Sequence, residues 1–159
     1  MRAPADQGIH EAIMSEHPRK QRLVRFIKQV WDEGDADAAD AYLAETYTIE
    51  HDPGDPWEGM VLDLEGFKDR VRQSRAAFPD QRFDIKGLYA DGDSVIMTWL
   101  WSATHRGNLP GFPATGKKVR MSGATVYVFN GQDRLTGHWQ ITDRLGIYQQ
   151  LQHNSAPVG

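Results

Sequence analysis

The apolar residues Leu23, Phe26, Ile27, Val30 and Trp31 recur at i, i+3, i+4, i+7 and i+8, one face of a helix that Pro18 suits as a starting point. Gly34 stops that helix. The alanine-rich stretch 35–43, with aspartates in its first turn, predicts a short second helix. Residues 47–51 are β-branched and aromatic enough for a short strand, which ends at the turn cluster Asp52-Pro53-Gly54-Asp55-Pro56. A third helix starts from Asp63 as N-cap, carries Leu64, Phe67, Val71 and Phe78 on its apolar face, and stops at Pro79. From there the period changes to two. The segments 81–90, 94–104, 117–129 and 135–142 alternate like strands, separated by Asp91-Gly92-Asp93, the Gly- and Pro-rich 107–116, and Asn130-Gly131.

Consecutive strands joined by short links form an antiparallel meander, and helices gathered at one end of the chain must cover one face of it. The expected fold class is α+β: a cone in which three N-terminal helices pack on a curved, mainly antiparallel sheet and enclose one pocket. The second strand, VIMTWLWSAT, is apolar on both parities, so its outer face is expected to meet a second copy in a homodimer. The expected organisation is a solvated tail over 1–17, a single domain over 18–152 and a C-terminal tail over 153–159.

Charge and composition narrow the function. With 40% hydrophobic and 25% charged residues the chain reads as globular, and a formal net charge of −4 offers no basic field for phosphates. Nucleic acid is therefore not an expected partner, and a small apolar molecule is. Zero cysteines remove disulfides and thiolate chemistry and fit a reducing, cytoplasmic setting. No apolar run reaches the length of a membrane span, so no membrane partner is expected.

Several stretches taken in order carry a resemblance. They are Trp31 with Glu33-Gly34-Asp35; Tyr47 with His51-Asp52-Pro53; Ala76-Ala77-Phe78-Pro79-Asp80; Gly92-Asp93-Ser94-Val95; and Trp99. Further on come Thr104-His105-Arg106-Gly107, 111–116 (GFPATG), Ser122-Gly123, and 138–143 (HWQITD) with Leu145-Gly146 and 149–151 (QQL). Over residues 21–151 the chain resembles the SnoaL-like polyketide cyclases, or ester cyclases, of the nuclear transport factor 2-like superfamily. The resemblance implies a conical pocket, oligomeric subunits, no metal or organic cofactor, and ring closure by intramolecular aldol condensation. Its relatives also include cofactor-independent hydroxylases.

Aldol closure needs a base, a donor at the receiving carbonyl and a dry cavity. Of the six histidines, His10, His17 and His153 fall in the expected tails, leaving His51, His105 and His138. His138 and Gln140 share one face of the last strand. The resembling cyclases carry a catalytic aspartate where this chain has Gln140, and a second pocket histidine where it has Tyr127. Proton transfer then falls to His138 first and His51 second, with Gln140 and Tyr127 orienting the carbonyl. His138 also reads as a buried, satisfied histidine, and His51 as a turn residue. Asp143 reads first as an acceptor for the Leu145-Gly146 turn, and otherwise as a catalytic acid. Trp99 and Trp101 form an aromatic wall, Trp57 joins the ligand contacts, His105 sits at the rim, and Phe112 is carried over the mouth by its loop. A related hydrolase or hydroxylase, or a non-catalytic binding module, are the competing functions.

Overall fold

The structure, a computed structural model, describes residues 17–157. Residues 1–16 of the expected N-terminal tail lie outside the described residues, and His17 itself caps the first helix by accepting from the Arg19 amide at 3.3 Å. Helix α1 spans Pro18–Phe26 and continues as a π-helical stretch over Ile27–Asp32, closed by the Glu33 amide donating to the Lys28 carbonyl at 2.8 Å. The wider turns bring Trp31 to the wall of the internal cavity. Gly34, at φ +77°, ends the helix. The expected second helix is a 3₁₀ segment, Ala36–Ala41, capped by Asp35; it is cut short because Leu43 already belongs to strand β1, Leu43–His51.

A short edge strand β2 (Val61–Asp63) leads into α2, Leu64–Ala77. Asp63 caps α2 by accepting from the Gly66 amide at 2.7 Å. Strands β3 (Arg82–Asp91), β4 (Ser94–Thr104), β5 (Lys118–Phe129) and β6 (Leu135–Thr142) form the expected meander. Helix α3, Arg144–Ser155, follows β6. It was not expected, and it carries His153 in its last turn instead of in a tail.

The sheet has six strands in the order β2-β1-β6-β5-β4-β3, with β1 parallel to β6 and the other neighbours antiparallel. Cross-strand register places Met97, Trp99 and Trp101 on the same face as Thr125, Gly123 and Met121, and this face curves around the helices. The core gathers Leu23, Phe26, Phe67, Val71, Tyr47 and Ile49 beneath it. Exposed Tyr89, Leu100, Trp139 and Ile141 lie on the opposite face. No helix among the described residues is long and apolar enough to cross a membrane.

Gly123 is required where it stands. A Cβ there would overlap the Trp99 ring and come within 2.8 Å of the Ile141 carbonyl oxygen. Gly123→Ala is expected to cost about 1–3 kcal/mol of folding stability, the usual penalty for forcing atoms into a packed site, measured as a lowered urea midpoint. An unchanged midpoint would mean that Trp99 moves freely.

Candidate active site

The concave sheet face, α2 and α3 enclose a cavity of about 590 Å³. One end is apolar, walled by Phe78, Phe83, Trp99, Trp101, Leu109 and Met121; the other gathers Tyr47, Asp55, Arg70, His138, Gln140 and Arg144. Apolar walls with a few convergent polar groups, at this volume, are the usual form of a small-molecule site.

A break in strand parity builds the polar end. Tyr47 and Ile49 point inward, and regular alternation would carry His51 inward as well. The register between β1 and β6 shifts between Ile49 and His51: Ile49 pairs with His138, whereas His51 pairs with Trp139 on the outer face. His51 therefore stacks on Trp139, with ring centroids 4.6 Å apart, lies 3.8 Å from the Glu58 carboxylate, and is not part of the cavity wall. That corrects its expected place in the site. Asp52, the next residue, turns inward and is only 1% exposed.

Four side chains surround the Asp52 carboxylate. Arg144 Nη2 donates to Oδ1 at 3.0 Å, Gln140 Nε2 to both oxygens at 3.2 and 3.1 Å, and His138 Nε2 to Oδ2 at 3.3 Å, while Arg70 Nη2 stands 3.7 Å away. Burial pushes this carboxyl's pKa up, but the His138 hydrogen bond and the Arg144 guanidinium outweigh it and hold the group below its ordinary value. Asp52 is thus ionised and can only accept.

This fixes the hydrogen positions around it. His138 must carry its proton on Nε2, so Nδ1 accepts from the Tyr47 hydroxyl at 2.7 Å. Burial, with the Arg70 charge adding to it, lowers the His138 pKa against the pull of Asp52, so the imidazole is neutral. A second chain of donors ends on the same carboxylate. Trp99 Nε1 can only donate, to Thr125 Oγ1 at 2.9 Å; Thr125 then donates to Gln140 Oε1 at 2.6 Å, which aims the Gln140 amide nitrogen at Asp52. Tyr47 and Tyr127 keep their protons, since burial raises both phenols above their ordinary values.

Of the remaining expected site residues, Trp57, Trp99, Trp101 and Tyr127 line the cavity. Phe112 stands behind the wall, bonded through its backbone to Leu109 and packed edge-on against Tyr148 at 5.5 Å; Leu109 and Tyr148 face the cavity in its place. His105 is fully buried against Phe78 and lies off the wall, not on the rim. Asp143 is the exposed N-cap of α3 and accepts from the Gly146 amide at 2.8 Å; it takes the structural role, away from the cavity. Tyr47, Asp55, Arg70 and Arg144 on the wall, and Asp52 beside them, belong to this polar cluster although the sequence does not single them out as site residues. Among the described residues, no three His, Asp or Glu side chains cluster as a metal site requires.

The family model for SnoaL-like polyketide cyclases matches residues 21–151. The chain belongs to that family. A provisionally named polyketide cyclase from Acidithiobacillus ferrooxidans is 61% identical, with a TM-score of 0.84 over 89% of this chain and 99% of that one. IdmH from Streptomyces antibioticus, also provisionally a polyketide cyclase, is 22% identical over 86% of this chain and 99% of that one, with a TM-score of 0.70. AclR from Streptomyces galilaeus, provisionally a hydroxylase, is 18% identical over 89% and 88%, with a TM-score of 0.68. Among curated proteins none matches. The two distant structures share the nuclear transport factor 2-like fold of this SnoaL-like chain. Gln140 stands on β6 where the resemblance implies an aspartate, and Asp52 brings a carboxylate to within 3.1 Å of it from the end of β1.

Both Asp52 and His138 have folded-state pKa values below their unfolded ones. Each therefore adds stability that is present above its unfolded pKa and is lost as pH falls through the folded one. Unfolding free energy should begin to fall below about pH 6.5, through His138, and fall again below about pH 3.8, through Asp52. In urea titrations across pH, His138→Gln should flatten the upper limb. Asp52→Asn should flatten the lower one and cost about 3 kcal/mol at pH 7, because Arg144 and Arg70 lose a buried partner. Parallel curves for wild type and both variants would contradict the assigned ionisation states.

Proposed function

We propose that this cavity is a cofactor-independent catalytic site that removes a proton from carbon beside a carbonyl, as in aldol ring closure of a polyketide- or terpenoid-like compound. The observation that carries this reading is a neutral His138 held between Asp52 and the Tyr47 hydroxyl at the one polar end of an apolar cavity. Both imidazole nitrogens are engaged, so Tyr47 is the member of the chain that meets the substrate. As the substrate C–H proton moves to Tyr47 Oη, the hydroxyl proton moves to His138 Nδ1, and ionised Asp52 stabilises the imidazolium that forms. The electron pair left on carbon attacks the second carbonyl carbon. Tyr127 and Arg144, both on the wall, supply donors to the oxygen that gains charge, and the proton on His138 returns to that oxygen through Tyr47. Family membership and the Acidithiobacillus relative support the reaction class.

The test is deuterium exchange into the activated methylene of 2-tetralone in D₂O, followed by proton NMR. The wild type should accelerate exchange, with a single-proton loss on the acid side below neutral pH. His138→Gln and Tyr47→Phe should each lower the rate by about 10²-fold, the usual worth of a positioned proton carrier, while His51→Gln leaves it unchanged. A wild-type rate equal to buffer, or a normal rate in Tyr47→Phe, would sink the relay.

The same reading includes a homodimer through the outer sheet face. Tyr89, Leu100, Trp139 and Ile141 are exposed there on β3, β4 and β6, with Ala124 and Val126 between them on β5. Light scattering should give twice the 18.0 kDa chain mass, and Leu100→Lys should return it to the monomer value. A wild-type monomer at all concentrations would remove this part.

A further inference from the structure

Arg70 lies on the cavity wall although it is only 6% exposed. A buried guanidinium must find acceptors to replace the water it has lost. Those it has are incomplete. Its two carboxylate contacts both use Nη2, at 3.4 Å to Asp55 and 3.7 Å to Asp52, whereas charge-assisted bonds of this kind close to about 2.7–2.9 Å. Its buried Nε has no hydrogen-bond acceptor among the described residues. The aspartates balance the charge but have other donors to serve: Asp52 holds His138, Gln140 and Arg144, and Asp55 accepts from the Trp57 amide at 2.9 Å.

The guanidinium is also held in place. Its carbon lies over the Trp31 ring at 5.2 Å and over the Trp57 ring at 5.7 Å, so little motion remains to be frozen when a ligand arrives. Arg144 enters the same end of the cavity from the first residue of α3, and its buried Nε likewise lacks an acceptor among the described residues. Two cations with incompletely satisfied donors thus stand at one end, and the Trp99, Trp101 and Phe83 wall stands at the other.

We propose that the polar end of the cavity recognises a carboxylate on the ligand, with Arg70 as its main receptor and Arg144 as a second donor. The ligand is then a flat apolar body with an acidic group at one edge, seated with that group between the two arginines. A carboxylate suits the planar guanidinium, whose Nη1 neither Asp52 nor Asp55 engages, since both approach it through Nη2. This inference rests on reading the cavity as the ligand site, and it does not depend on the proton relay.

The experiment compares 2-naphthoate with 2-naphthamide, equal in shape and different in charge, by tryptophan fluorescence and calorimetry at pH 7. The wild type should bind the acid at least about 10-fold more tightly than the amide, the ratio expected for one charged hydrogen-bonded contact. Arg70→Gln should erase that ratio, and Arg70→Lys should restore part of it, because an ammonium keeps the charge and lacks the planar fork. Should circular dichroism show Arg70→Gln unfolded, Arg144→Gln decides instead, with the ratio reduced severalfold. Equal wild-type affinities for acid and amide would overturn carboxylate recognition and leave the cavity as a ligand site. Binding of neither probe would overturn both.

Discussion

Moving an ionised carboxylate out of water costs several kcal/mol unless donors replace the lost hydration, and Asp52 meets that requirement by drawing on three other elements of the fold. His138 and Gln140 come from β6, Arg144 from the start of α3 and Arg70 from α2. Removing His138 leaves the buried Tyr47 hydroxyl without its acceptor, and removing Gln140 does the same to Thr125. The site and the fold are therefore held by one interaction: the contacts that keep Asp52 ionised also dock α3 against the β1 turn and set the polar end of the cavity. The carboxylate's charge state, transmitted through the His138 tautomer, decides even the direction of the Tyr47 hydrogen bond.

How much of this was legible in the sequence follows from how local each cause is. The Asp63 cap with Pro79 marked α2, and period-two alternation marked β3 to β6, because those signals act within a few residues. Strand parity was enough to put His138 and Gln140 side by side on the cavity wall. His51 could not be placed in this way, since one extra residue in β1 reverses the faces and the sequence 47–52 gives no sign of it. Asp52 was hidden for a related reason. Between His51 and Pro53 an aspartate is an ordinary turn former, while the partners that give it a second role lie 86 to 92 residues away.

Two other features escaped for physical reasons. Helix α3 has Leu145 and Tyr148 exposed and Leu151 buried, so its apolar residues do not form a single stripe, and its Asp143 cap looked like a turn acceptor with no helix behind it. The π-helical turn over Ile27–Asp32 keeps the apolar spacing of an α-helix closely enough to be read as one. Its effect is felt at the site, because Trp31 reaches the Arg70 guanidinium from that turn. Arg70 itself, a charged residue on an amphipathic helix, has the sequence signature of a solvated position.

An amide at position 140 fits this arrangement. Gln140 Nε2 lies 3.1 Å from Asp52 Oδ2, and its Oε1 accepts from Thr125. An aspartate or glutamate in its place would bring a second carboxylate toward the first. Two carboxylates about 3 Å apart do not both ionise; one takes a proton and its pKa rises. The Thr125 hydroxyl could still donate to such a group, but nothing would then donate from position 140 to Asp52, and the charge that orders His138 and Arg144 would weaken. An amide is the side chain that accepts from Thr125 on one edge and donates to Asp52 on the other. With a carboxylate already standing at the end of β1, a neutral side chain at position 140 is what lets that carboxylate remain ionised.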